Sequence, residues 1–158
     1  MLKNSMDITD KKILHIIQKN SNIPLSELSK RVGVSSTPCW NRVKKMEEEG
    51  VITSKIAILN NQKINLPITV FLSISVTSHK DEWLKKFNET ILKYDQIVEV
   101  YRLTSATTDY LLKIVAPTIN SYDEFQQKLI SEIEFSNMTS NICLKVLKKN
   151  NYLPLDFI

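Results

Sequence analysis

Seven side chains within ten residues carry the polar chemistry of this chain: Ser36, Thr37, Trp40, Asn41, Arg42, Lys44 and Lys45. No nucleophile stands beside a base among them, so their chemistry is recognition rather than bond making. Lys44 and Lys45 suit phosphate oxygens, which gives salt-dependent affinity without sequence choice. Asn41 can offer both ends of its amide to an adenine edge, and Ser36 and Thr37, at a helix start, can add phosphate or base contacts. Arg42 has two readings, a phosphate anchor or a brace within the domain. Trp40 also has two: packing on the preceding helix, or standing exposed where an indole can touch a thymine methyl or a sugar. The plain alternative for the whole set is an ordinary solvated helix face.

Two helices and two glycine turns must position these groups. In the block LSKRVGVSSTPCWNRVKKMEEEGVI, Leu28 to Ile52, Gly33 sits where one helix must end in a left-handed conformation, and Gly50 ends the next in the same way. These are the chain's two glycines. Ser35 or Thr37 can cap the second helix, with Pro38 in its first turn. On that helix, roughly Ser36 to Glu49, Cys39, Val43 and Met46 are spaced by four and three and form the docking face. Upstream, Ile13, Ile16 and Ile17, widened by Leu14, mark an amphipathic helix between Asp7 and Asn20, with Asp7 or Thr9 as its cap. Pro24 to Val32 makes a short helix with Leu25, Leu28 and Val32 inward. Three helices in this order are a helix-turn-helix, and double-stranded DNA is the partner it implies. Glu47 to Glu49 place negative charge at a helix C-terminus, which disfavours the dipole and mildly favours an adaptor that no longer binds DNA.

Charge agrees with a polyanionic partner. The net charge is +4, and residues 1–53 hold nine Lys/Arg against six Asp/Glu, whereas residues 54–158 hold twelve against eleven. Cys39 and Cys143 lie far apart with no CxxC or Cys/His spacing, so neither disulfide nor zinc site is suggested and both read as small buried residues. His15 and His79 lack ligand spacing as well. No stretch reaches the roughly 20 apolar residues of a membrane span, and the N-terminus has no long apolar signal region, so a cytoplasmic setting is expected. With two glycines, a phosphate-cradling loop or dinucleotide fingerprint cannot be assembled, and no Ser/His/Asp set exists. No enzyme, cofactor or metal is expected.

Beyond residue 53 the pattern changes. Val51 to Leu59 alternates loosely, as a wing or connecting strand would, and the polar run Asn60 to Asn65 before Pro67 reads as a hinge. Ile68 to Val76 is a strand with Val70, Leu72, Ile74 and Val76 on one face. Asp81 to Tyr94 is helical through Leu84, Phe87 and Ile91. Ile97 to Leu103 and Tyr110 to Val115 form a hairpin across Thr104 to Asp109. Ser121 to Ile133 is helical through Tyr122, Phe125 and Leu129, and Ile142 to Lys148 returns to strand period. This βαββαβ order predicts a four-stranded antiparallel sheet with both helices on one face, the ferredoxin-like arrangement. The other face, apolar and uncovered, is best buried by a second copy, which predicts a homodimer. The expected class is α+β: a winged helix-turn-helix over residues 1–53, a connector over 54–65, and a ferredoxin-like domain over 66–158.

Three stretches, MDITDKKILHIIQKN, LSKRVGVSSTPCWNRVKKMEEEGVI and TDYLLKIVAPTINSY, together resemble the Lrp/AsnC (feast/famine) family of transcriptional regulators, in order and at the family's separations. The resemblance implies a DNA-binding regulator linked to amino-acid metabolism, assembled as dimers and larger rings such as octamers. It also implies a small effector, commonly an amino acid, held between C-terminal domains beside the loop joining the second and third strands. Here that loop is Thr104, Ser105, Ala106, Thr107, Thr108 and Asp109, and Leu103, Ile119 and Ile142 align with apolar positions of the cleft. The family usually shows glycine and then an acidic residue where this chain has Ala106 and Thr107. That removes both a close backbone approach to a ligand carboxylate and a partner for an ammonium group. For Asp109, ligand contact and capping of the hairpin are both open. Two further functions compete with effector-controlled regulation. One is architectural DNA binding with weak sequence choice. The other is catalysis of the sirohaem decarboxylase type, which needs basic and histidine residues around a cleft.

Overall fold

The computed structural model describes residues 6–76 and 80–158, and the chain divides into two compact units, Met1–Ile58 with Leu147–Ile158, and Leu59–Val146. His79 lies outside the described residues.

In the first unit, helices α1 (Ile8–Ile17), α2 (Leu25–Val32) and α3 (Ser36–Glu48) follow the apolar periodicity. Asp7 starts α1 through a reciprocal box: the Asp10 N–H donates to Asp7 Oδ1 at 2.9 Å and the Asp7 N–H to Asp10 Oδ2 at 3.2 Å. Ile13, Leu14, Ile17, Leu28, Val32, Cys39, Val43 and Met46 close the core. Leu25, expected inward, is 36% exposed because it opens α2, ahead of the turn that meets α1 and α3. Gly33 stops α2 at φ 81°, and the Gly33 and Val34 amides both close on the Ser29 carbonyl, at 3.0 and 3.1 Å. Residues 147–158, expected with the second domain, group with this unit. Both backbone groups of Leu153 bond the Gln18 side chain, and Leu155 packs on the helical core.

Residues 53–60 take up no ladder within the chain, so the strand reading of Val51 to Leu59 is not realised there. Val51 and Ile52 instead pack against the helical core, and the Ile52 N–H closes on the Met46 carbonyl at 3.0 Å. Ile56, Ile58 and Leu59 stay exposed.

The second unit runs β1 (Ile68–Ser75), α4 (Asp81–Lys93), β2 (Ile97–Arg102), β3 (Tyr110–Ala116), α5 (Ile119–Glu132), β4 (Asn137–Ile142). The strands order β2-β3-β1-β4, each pair antiparallel, which is the ferredoxin-like sheet. Val70, Leu72, Ile74, Leu112 and Ile114 point into one core with Phe87, Tyr122, Phe125 and Leu129 from the helices. The alternate residues Phe71, Leu111 and Val115 lie on the other sheet face and stay partly exposed. The last strand was expected at Ile142 to Lys148 but spans Asn137 to Ile142. β1 supplies the reason: Cys143 still reaches the Thr69 carbonyl at 2.9 Å, and beyond it the partner runs into Pro67, which has no N–H to donate. Leu144 and Val146 alternate correctly with nothing to pair with, and are 95% and 60% exposed.

A Cβ added at Gly33 meets nothing within 4 Å, so the cost of substitution there is conformational alone. We expect Gly33→Ala to lower unfolding stability by about 1–2 kcal/mol, the usual penalty for a side chain in the left-handed region, as a reduced midpoint in urea.

Candidate nucleic-acid interface and effector loop

Advancing about 100° per residue, α3 puts Cys39, Val43 and Met46 in one buried ridge, and Thr37, Trp40, Asn41, Lys44 and Lys45 then fall outside it. All five are exposed, as is Ser36, whose hydroxyl lies 3.3 Å from that of Ser29 on α2. Of the two candidate caps, Ser35 occupies the N-cap, though without a side-chain hydrogen bond, and Thr37 lies inside the first turn. Trp40, for which core packing was one reading, is 50% exposed, and the Lys44 ammonium lies 5.7 Å from the centroid of its ring. Lys45 sits loosely by Glu49 at 3.8 Å, and Glu47 pairs with Lys55 at 2.6 Å, so lysines partner two of the three glutamates. Burial pushes the Cys39 thiol up in pKa, which suits a small apolar filler; Cys143, also expected buried, is half-exposed.

Arg42 lies on the flank of the ridge that meets the start of α1. Its Nη1 donates to Asp7 Oδ2 at 2.7 Å and to Asp10 Oδ1 at 2.8 Å, so these partners favour the brace over the phosphate anchor. Both hydrogen bonds raise the guanidinium pKa, that to Asp10 more. Asp7 in turn is held below its ordinary 3.8, first by the Asp10 N–H and then by Arg42. Asp7, Asp10, Pro38, Asn41, Arg42 and Lys45 line an open depression beside the exposed face. Sequence reasoning missed the two aspartates as partners of Arg42. The D-x-x-D spacing is a local signal that could pair them with each other, but nothing local connects them to a residue more than 30 positions away.

In the second unit the loop from Thr104 to Asp109 folds onto the end of β1. Asp109 Oδ2 accepts the Val76 N–H at 2.8 Å, its own N–H donates to the Ile74 carbonyl at 2.9 Å, and its carbonyl accepts the Leu103 N–H at 2.8 Å. Asp109 thus fastens hairpin to strand. The Thr107 carbonyl accepts the Ser75 hydroxyl, and Ser105 Oγ the Thr107 N–H at 3.3 Å. Ser105, Ala106 and Thr107 are exposed, and Thr108 is partly so. Leu103 adjoins this loop, but Ile119 and Ile142 do not. Ile142 pairs with Val70, and Ile119 follows Ala116, which pairs with Ile68, so both sit at the far end of the sheet. Val70 and Ile74 are separated by about 13 Å of strand. One copy of the chain therefore leaves these candidates apart.

Among the described residues, no group of three or more His, Cys, Asp or Glu gathers as a metal site, and no helix is long and apolar enough to cross a membrane. Residues 6–53 match the family described as winged helix-turn-helix DNA-binding, and residues 69–153 the Lrp/AsnC ligand binding domain. The HTH-type transcriptional regulator Zrp of Zymomonas mobilis subsp. mobilis is 35% identical over 153 residues, 97% of this chain and 99% of its own. An AsnC family transcriptional regulator from Agrobacterium tumefaciens superposes with a TM-score of 0.91 at 43% identity, over 97% of this chain and 99% of that one. A transcriptional regulator of Neisseria meningitidis solved as a complex with L-Met gives 0.90 at 30% identity, over 96% and 98%. A three-helix winged helix-turn-helix head with an exposed basic helix face, joined to a ferredoxin-like ligand-binding domain, is a DNA-binding transcriptional regulator and not an enzyme. The chain belongs to the Lrp/AsnC family.

The Asp7 carboxylate has a folded pKa below its unfolded one, so its contribution to stability is complete above about pH 4 and is lost as the pH falls through the folded value. Asp7→Asn removes that titration. In melts from pH 6 to pH 2, we expect the parent to lose more stability than the variant in the acid range.

Proposed function

We propose that α3 enters the major groove of double-stranded DNA and that the protein works as a homo-oligomeric, effector-modulated regulator in the cytoplasm. The observation that carries the reading is the division of α3 into a buried Cys39–Val43–Met46 ridge and an exposed face of Ser36, Thr37, Trp40, Asn41, Lys44 and Lys45. Asn41 supplies directed hydrogen bonds to a base edge, Lys44 and Lys45 pair with phosphates, and Arg42 holds the helix at its angle. The half-exposed sheet face with Phe71, Leu111 and Val115 supports a two-fold partner, which also lets two heads span half-sites about one helical turn apart. Larger rings such as octamers follow the family. Since Thr104–Asp109 and the Ile119/Ile142 end lie apart in one copy, an effector cleft containing both takes the loop from one copy and the far end from another. The L-Met complex of the Neisseria protein supports an amino acid as the class of effector. In this chain Ala106 and Thr107 shift recognition toward hydroxyls and backbone groups, and they also favour a second reading, architectural binding without effector response.

Fluorescence anisotropy on a fragment that includes the DNA upstream of the chain's own gene, across a salt series and with and without an amino-acid mixture including L-Met, tests both readings. Binding that weakens with salt and shifts with one amino acid supports the effector-controlled regulator. Salt-sensitive binding without a shift supports the architectural reading, and no binding at low salt overturns both. Lys44→Ala should lower the log–log salt slope by about one unit, while Arg42→Ala should weaken binding with the slope unchanged. For Trp40, replacing thymines by uracil one at a time should cost the parent affinity at one position, roughly 1 kcal/mol or more, and cost Trp40→Ala nothing there.

A further inference from the structure

The chain passes between its two units twice, at Ile58–Leu59 and again at Val146–Leu147. The second passage is unexpected, because the family's ligand-binding domain is recognised as far as residue 153, whereas residues 147–158 group with the helical head. Three contacts hold this segment. The Gln18 side-chain amide pairs with both backbone groups of Leu153, donating from Nε2 to the carbonyl at 3.1 Å and accepting the N–H on Oε1 at 3.0 Å, as a rung of an antiparallel ladder would. Leu155 packs on the core formed by α1, α2 and α3. The Lys19 ammonium lies 5.2 Å from the centroid of the Tyr152 ring.

Gln18 is the C-cap of α1, and Asp7 is its N-cap. One end of α1 is therefore gripped by this segment while the other grips α3 through Arg42. Four residues, 143 to 146, separate the end of β4 from the start of the gripping segment. We propose that Leu147–Ile158 is a strap of the DNA-reading head, and that it carries displacements at the end of β4 to α1 and, through Arg42, to the reading helix. Release of the strap is within reach of a modest perturbation. Its anchors are one amide side chain, one leucine and one ammonium–ring contact, while Leu147, Leu153 and Phe157 are 87%, 74% and 87% exposed. A segment held by a few contacts opens locally at far lower cost than global unfolding.

The inference rests on α3 being the DNA-reading element, but its first readout does not. Hydrogen exchange on the full chain should show faster exchange across α1 and residues 150–156 in Gln18→Ala than in the parent, with the β1 and β3 amides unchanged. DNA affinity of the same variant should fall about tenfold with an unaltered salt slope, because no phosphate-pairing charge is lost. A chain stopped after residue 150 should show both effects more strongly; should it fail to fold, Gln18→Ala and Leu155→Ala decide. Unchanged α1 exchange in Gln18→Ala overturns the strap. Faster exchange with DNA affinity equal to the parent's overturns the link to α3, and absence of DNA binding by the parent itself identifies a failure of the DNA-reading function instead.

Discussion

The burial of Cys39, Val43 and Met46 against α1 and α2 is the constraint on which the rest of the head depends. A helix presents about 100° of new surface per residue, so once these three are inside, the direction of every other side chain on α3 is set. A turn of one residue would drive Trp40 and Lys44 toward the core and bring Cys39 to the surface. Apolar burial resists that rotation, and Arg42 fixes what burial leaves free. Its two aspartate partners at the start of α1 tie the middle of α3 to that neighbour. Charge is thereby divided into two roles, with Arg42 neutralised as a tie inside the head and Lys44 and Lys45 facing outward.

A comparable division of labour holds in the second unit. The strict alternation of Val70, Leu72 and Ile74 commits one sheet face to α4 and α5, and Asp109 joins the hairpin to the end of β1 through its carboxylate and its backbone. That carboxylate bonds the Val76 N–H, and the exposed side chains of the loop, Thr104, Ser105, Ala106 and Thr107, carry hydroxyls and a methyl but no charge. Ala106 and Thr107 thus stand exposed at the tip of the hairpin, while Asp109 braces it.

Helices were legible wherever the apolar period was clean. Ile13 and Ile17, Val43 and Met46, Tyr122, Phe125 and Leu129 all turned inward as their spacing required, and both glycines stand at positive φ where the helices needed stopping. Strands were less legible, because alternation says which residues could form a strand and not whether a partner lies alongside. Ile142, Leu144 and Val146 alternate as well as any strand in the chain, yet the ladder stops where β1 begins at its proline. Val51 to Leu59 alternates too, yet takes up no ladder among the described residues.

The candidate site divides along the same line. Composition and spacing on α3 were enough to separate a docking ridge from an exposed polar face, since both lie on one helix whose geometry is known in advance. Three features needed the tertiary structure: the exposure of Trp40, the pairing of Arg42 with Asp7 and Asp10, and the grip of Gln18 on Leu153, 135 positions away. Each depends on what a neighbouring element places beside a flank. The sequence by itself determined the helices, most of their inward faces and the family, because backbone period and capping act between residues a few positions apart. The tertiary structure alone decided which polar side chains are tied to distant segments and which stay exposed, because those pairings are made through space by segments that share no local pattern.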